Sequence, residues 1–261
     1  MARSFWKGTI SFGLVAIPVR MSIATEHQTP NFHLLHKKCL TRPQQVLFCT
    51  KDNEYFTLKD TVRGYEFEKE QYLVLSEKDF DKVPLKTLHS IEIQGFVESE
   101  EIDPIYIYDT HYLEPEELGI KPFYLLKEAL MRSNRVAIAK VAFQKREHLC
   151  TVRPFKDIMV LHSMHYQDEI LRTEQKVAKK TEVVKEELDM AMKLISSMAK
   201  KFSPEQYQDE YTIALQKIIE AKLKGLEIKA PRPAPEAKIE DLMSALRASI
   251  KEAQKAPIAK R

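Results

Sequence analysis

The sequence predicts a mixed β/α chain: a β-barrel or sandwich over its first part, followed by a helical region. Three observations predict it. Short runs with apolar residues at alternate positions recur from Thr9 to His162. From Thr181 the apolar spacing changes to three and four. Between the last two helical patterns lies Ala230–Ala237, whose alternating prolines extend the chain and block helix.

The elements follow in order. Thr9–Val15 alternates, with Ile10, Phe12 and Leu14 on one face. From Ile17 the apolar phase moves to Ile17, Val19, Met21 and Ile23, which predicts a bulge or a change of sheet beside Pro18. Further strands are expected at Tyr72–Leu75, Ile91–Val97, Ile105–Tyr108, Arg135–Phe143, Cys150–Val152 and Ile158–His162, with a hairpin turn within Gln144–His148. One helix interrupts them: Pro122 suits a first helical position, and Phe123, Leu126 and Leu130 share a face. Val184, Leu188, Ala191, Ile195 and Met198 then predict a helix over 181–201. Ser203 reads as an N-cap before Pro204, opening a second helix with Tyr207, Tyr211, Leu215, Ile218 and Lys222 on one face and Gly225 at its end. Both stripes must pack on something, each other and the barrel being the nearest choices. Beyond the linker, Ile239, Leu242, Met243, Leu246 and Ile250 form a stripe on a short helix, which either docks back or meets a partner; the partner reading is favoured. The chain thus divides into 1–180, 181–229 and 230–261.

Composition narrows function by exclusion. Hydrophobic residues make up 44% of the 261 and charged residues 30%, a soluble balance, and no apolar run is long enough to span a membrane. The N-terminus has no apolar signal core, and three cysteines do not make a disulfide framework, so a cytoplasmic location is expected. Gly8 and Gly13 have P-loop spacing, but Leu14 and Val15 stand where Lys and Ser/Thr are required. There is no GxGxxG, and Ser11, Ser76 and Ser163 lack the setting of a hydrolase nucleophile. The net charge of +3 hides segregation: +5 over 1–63, −10 over 64–130, +6 over 131–180, −2 over 181–227 and +4 over 228–261. Basic segments facing a polyanion and an acidic segment facing away is one reading; intermixing on folding is the other.

Two constellations carry chemistry. His33, His36, Cys39 and Cys49 are zinc-ligating residue types, but neither cysteine belongs to a CxxC, and Asp52 stands where the second thiol of one would be. No metal and no cofactor are assigned to them. His162 and His165 read as structural, and Cys150 as a small core residue. The cations Lys37, Lys38, Arg42 and Lys51 share one polar stretch between strands. Lys7 and Arg20 lie on the first strand unit, and Lys145 and Arg146 at a hairpin tip. Aromatics do not interleave them, so the backbone of a duplex fits better than stacked single strands.

Several long stretches resemble bacterial Ku proteins. They are FWKGTISFGLVAIPVRM at Phe5–Met21, FHLLHKKC at Phe32–Cys39, LKDTVRGYEFE at Leu58–Glu68, EIDPIYIYDTHYL at Glu101–Leu113 and ALMRSNRVAIAKVAFQKREHL at Ala129–Leu149. MVLHSMHYQDEI at Met159–Ile170, EQYQDEYTIALQKIIEAKLKG at Glu205–Gly225 and IEDLMSALRASI at Ile239–Ile250 continue the match in order. The resemblance implies a Ku-like β-barrel with a projecting β-ribbon arm at about 31–65. It implies a ring-forming homodimer that threads double-stranded DNA ends without reading sequence, and no catalysis. It further implies that a C-terminal helix recruits an ATP-dependent DNA ligase, ligase D, in non-homologous end joining at the nucleoid. One departure stands out: these arms often carry Cys…Cys-x-x-Cys, and Asp52 replaces the third cysteine. A duplex-coating protein without end preference and a metal-dependent hydrolase using His33, His36, Cys39 and Cys49 are the competing readings.

Overall fold

The computed structural model describes residues 4–26, 28–80, 82–83, 87, 89–144, 146–171, 183–226 and 242–255. They fall into two units, one built from 1–27 and 31–172, the other from 28–30 and 173–261.

The first unit is a closed seven-stranded barrel. Its strands are β1 (Ser4–Phe12), β2 (Val15–Ile23), β7 (Ser90–Glu98), β8 (Ile107–Pro115), β9 (Arg135–Phe143), β10 (Arg146–Phe155) and β11 (Ile158–Met164). The order around the barrel is β1-β2-β8-β11-β10-β9-β7, and β1 closes on β7 in parallel. Between β2 and β7 the chain makes two small hairpins, β3 (Leu47–Cys49) with β4 (Glu54–Phe56) and β5 (Arg63–Glu68) with β6 (Gln71–Leu75), then a single turn, α1 (Glu77–Phe80). The long helix of this unit is α2 (Ile120–Ser133).

The phase change near Pro18 has a simpler cause than a bulge. Phe12 pairs with Val15, so Gly13–Leu14 is a two-residue hairpin turn between two strands. Gly13 has φ +56, the positive value that the first position of such a turn demands and that glycine adopts without strain. Leu14, expected on the apolar face, is fully exposed at the tip. Ile10, Ile17, Val19 and Met21 point inward, as the alternation predicts.

The hairpin predicted within Gln144–His148 turns tightly after Phe143, which pairs with Arg146; Lys145 lies outside the described residues. Ile105 falls in a 3-10 turn opened by Pro104 and capped by the Asp103 carboxylate, so the strand there begins at Ile107 instead.

Helix α2 closes the core of the barrel. Phe123, Leu126 and Leu130 are buried against it with Ile10, Leu113, Val141 and Leu161. The helix begins two residues before Pro122, and Asn134 ends it in the left-handed conformation with its N–H donating to the carbonyls of Leu130 and Met131. Gly119 precedes it because a Cβ there would sit 2.5 Å from the Pro18 carbonyl oxygen. Phe123→Ala should therefore lower the unfolding free energy by about 3–5 kcal/mol, the usual cost of emptying an aromatic site in a core. A urea titration measures it, and a loss below about 1 kcal/mol would mean α2 is not a core element.

The second unit is helical: α3 (Lys185–Met198), α4 (Glu210–Leu223) and α5 (Leu242–Lys255). Pro204–Gln206 forms only a 3-10 turn, and α4 starts six residues later than Ser203–Pro204 predicted. Its cap is Asp209, whose carboxylate accepts from the Thr212 N–H at 3.0 Å and the Thr212 hydroxyl at 2.6 Å. The two local bonds of this carboxylate outweigh the proline signal. At the other end the Gly225 and Leu226 N–H groups donate to the Lys222 and Ala221 carbonyls, and the helix stops where Gly225 predicts. Among the described residues no helix is long and apolar enough to cross a membrane.

Candidate nucleic-acid interface

The largest departure from a compact body is the stretch from 31 to 75, in which no residue is buried. It contains both small hairpins, and neither is hydrogen-bonded into the barrel sheet. Two-stranded hairpins are marginal in water on their own, so this arm is built to be completed by something else. It exposes apolar side chains as well as cations, among them Leu34, Phe48, Tyr55, Val62, Tyr65 and Tyr72.

Four of the expected phosphate contacts lie on this arm. Lys37 and Lys38 occupy an exposed turn, Arg42 follows it, and Lys51 sits in the turn joining β3 to β4. The first turn is closed by His36 N–H to the Thr41 carbonyl and Leu40 N–H to the His36 carbonyl, both 2.8 Å. Inside it, Cys39 Sγ lies 2.6 Å from Thr41 Oγ1 and 3.0 Å from His36 Nδ1. These bonds, that from Thr41 first, hold the thiol pKa down at about 7. None of the four cations has an ion-pair partner among the described residues, which leaves their charge available to an anion.

The other expected contacts differ. Lys7 and Arg20 face each other across β1 and β2, both exposed, and the structure brings them together as one pair. Lys7 Nζ is, however, 3.3 Å from Glu116 Oε1, and Arg20 pairs in register with Glu114. Arg146 is held by Glu169, which raises the guanidinium pKa; the carboxyl pKa is lowered by the Tyr166 N–H first and by Arg146 second. The barrel strands also interleave the acidic and basic segments, with Glu92 beside Lys140 and Glu98 beside Arg135 on β7 and β9. The reading of one basic and one acidic surface thus fails on the barrel, because antiparallel pairing sets strands of opposite net charge side by side. On the arm, Lys37, Lys38, Arg42 and Lys51 stay without an ion pair among the described residues.

Sequence reasoning missed three further arm cations, Lys59, Arg63 and Lys69. Arg63 lies 3.7 Å from Glu77 and 5.0 Å from the Phe80 ring centre, anchoring the base of β5. The signal missed for the β3–β4 hairpin was Asp52–Asn53 between two short apolar runs, a turn pair whose Asn53 adopts φ +57.

The zinc-type residues do not converge. Cys39 bonds within its own turn, and Cys49 Sγ donates to Asp52 Oδ2 at 3.2 Å. Among the described residues no three His, Cys, Asp or Glu side chains are grouped to hold a metal. Cys150 is fully buried, its thiol donating to the Ala139 carbonyl at 3.3 Å, and burial pushes its pKa up. His162 is buried and doubly hydrogen-bonded, a structural residue as expected. Of the tail stripe, Ile239 lies outside the described residues, while Leu242, Met243, Leu246 and Ile250 fall on α5.

Comparison with known proteins agrees with this architecture. The family model "Ku70/Ku80 beta-barrel domain" matches residues 11–190. The chain is 42% identical over 259 residues to the "Non-homologous end joining protein Ku" of Symbiobacterium thermophilum, covering 97% of this chain and 63% of that one. It is 37% identical over 264 residues to the protein of that name from Solibacter usitatus, covering 100% and 99%. Against the one from Archaeoglobus fulgidus the figures are 39% over 251 residues, 95% and 98%. With the barrel, the arm and these matches together, the chain belongs to the Ku family.

Proposed function

We propose that this chain binds double-stranded DNA ends as a preformed homodimeric ring, without sequence preference and without catalysis, and recruits ligase D for non-homologous end joining. The observation that carries the reading is the arm: a stretch with no buried residue, bearing Lys37, Lys38, Arg42 and Lys51 without counter-charges and an apolar complement that water disfavours. A second copy of the chain supplies what the apolar side chains lack, and a duplex supplies phosphates for the cations.

Other open apolar surfaces support the dimer. Phe12, Val15, Phe96, Leu125 and Leu126 line a groove of about 490 Å³ beside α2. Leu188, Met192, Ile195 and Met198 stand exposed on α3. Soluble monomers rarely leave surfaces of this kind open. Cations on a closed ring neutralise phosphates of any sequence, and closure supplies end preference, since a ring loads at a free terminus and not on a circle.

The test compares binding to linear duplex, covalently closed circles and hairpin-capped linears of equal length. Tight binding to open linears and at least tenfold weaker binding to circles is expected. Equal affinity for circles would favour the duplex-coating reading and sink the ring.

A further inference from the structure

We infer that the apolar stripe of α5 is an exchangeable surface, held by α3 in the free chain and surrendered to a partner that presents the chemistry of α3. The inference rests on the reading of the tail as the ligase contact and names how that contact is regulated and what it recognises.

Within the second unit α5 packs along α3. On α5, Met243, Leu246 and Ile250 are half-buried, while Ser244, Ala245, Arg247, Ala248 and Ser249 between them are exposed. On α3, Glu187, Met190, Ala191 and Leu194 are half-buried, again at spacings of three and four. The two helices therefore meet stripe to stripe. Of the stripe that the sequence marked on α3, Ala191 alone shares this face, while Val184, Leu188, Ile195 and Met198 are exposed.

The contact is shallow. No residue of α3 is buried, and none of the α5 side chains from Met243 to Lys251 is either. A 14-residue helix is marginal by itself, so α5 gains from resting on α3, yet so little surface is sealed that release is cheap. The same three apolar residues cannot serve α3 and a partner at once. Binding in cis and in trans is thus mutually exclusive.

The cis contact also describes the partner. The half-buried face of α3 carries the Glu187 carboxylate beside Met190, Ala191 and Leu194, with Glu186 towards its edge, and α5 carries Arg247 and Lys251 beside its own stripe. The ligase surface that replaces α3 is accordingly an amphipathic face with carboxylates along its edge. Stripe burial in cis lowers apparent affinity by the fraction of time α5 is free. If that fraction is about a tenth, opening the contact tightens binding about tenfold.

The experiment uses the full-length chain and purified ligase D. Leu194→Glu places a charge on the α3 face that holds α5, and Met190→Lys is the second variant should the first perturb α3 itself. Expected are faster amide exchange across 242–255 and roughly tenfold tighter ligase binding. Ile250→Glu, on the tail, should weaken ligase binding about tenfold or more. If neither α3 variant speeds exchange or tightens binding while Ile250→Glu still weakens it, the exchange is wrong and the tail contact stands. If the α3 variants weaken binding, α3 belongs to the ligase site and the exchange is likewise overturned. If Ile250→Glu leaves binding intact, the tail assignment fails and takes this inference with it.

Discussion

Reversing charge at Lys37, Lys38 and Arg42 together is expected to lower affinity for linear duplex about a hundredfold at moderate salt, without dissociating the proposed dimer. Each phosphate neutralised by a cation releases counterions and adds about 0.9 to the slope of log affinity against log salt. Losing three such contacts should flatten the slope by about 3. The effect is large because these cations are exposed on the arm and paired with no carboxylate among the described residues. Lys7→Ala and Arg146→Ala are the matched controls. Their charges are already engaged by Glu116 and Glu169, so each change should alter affinity only a few-fold. A salt titration of binding to a short linear duplex reads both. An unchanged slope in the triple variant would remove the arm from the interface.

The barrel should lose stability as pH falls below about 6.5, well before its surface carboxylates titrate. His162 is the main cause. It sits buried with its Nδ1 2.8 Å from Thr110 Oγ1, and its Nε2 accepts from Arg153 Nε at 2.8 Å. A proton on Nε2 would face a guanidinium N–H across a hydrogen-bond distance. Burial first, and the Arg153 charge second, pull its pKa down to about 4. His111 and His148 are also buried, and burial lowers both, against a smaller opposing pull from Asp109 on His111 and from the Phe143 carbonyl on His148.

The sign follows from proton counts. Between about pH 6.5 and 4 the unfolded chain holds a proton on His162 that the folded chain refuses, so acid favours unfolding. The full stability is present above the unfolded pKa and is lost as pH falls towards 4, by about 3 kcal/mol for His162 alone. The other two histidines add in the same direction. Urea midpoints at pH 7, 6, 5 and 4.5 measure the loss. His162→Gln should start lower at pH 7 and fall less steeply, since a titrating group has gone. A midpoint that holds steady from pH 7 to 4.5 in the unaltered chain would show that the barrel tolerates the imidazolium.

The barrel strands were legible because burial on one side writes a period of two into the sequence. Ile91–Val97 and Arg135–Phe143 lie where that pattern places them, and so does the buried face of α2. The strands β3, β4 and β5 were not legible, for the converse reason. Phe48, Tyr55 and Tyr65 are exposed in the single chain, so no core selects one face and alternation has nothing to report. The start of α4 was misplaced because a proline is visible as a type, whereas the bond from Asp209 to Thr212 exists only once the backbone turns.

For the site, charge content was readable and charge availability was not. The sequence by itself determined the family, the strand core and the presence of cations at Lys7, Arg20, Lys37, Lys38, Arg42, Lys51 and Arg146. Only the tertiary structure decided which of them are spent. Residues more than a hundred apart become ion pairs, as Lys7 and Glu116 do. Coulomb energy depends on distance in space, and distance along the chain fixes that only within a helix or a hairpin.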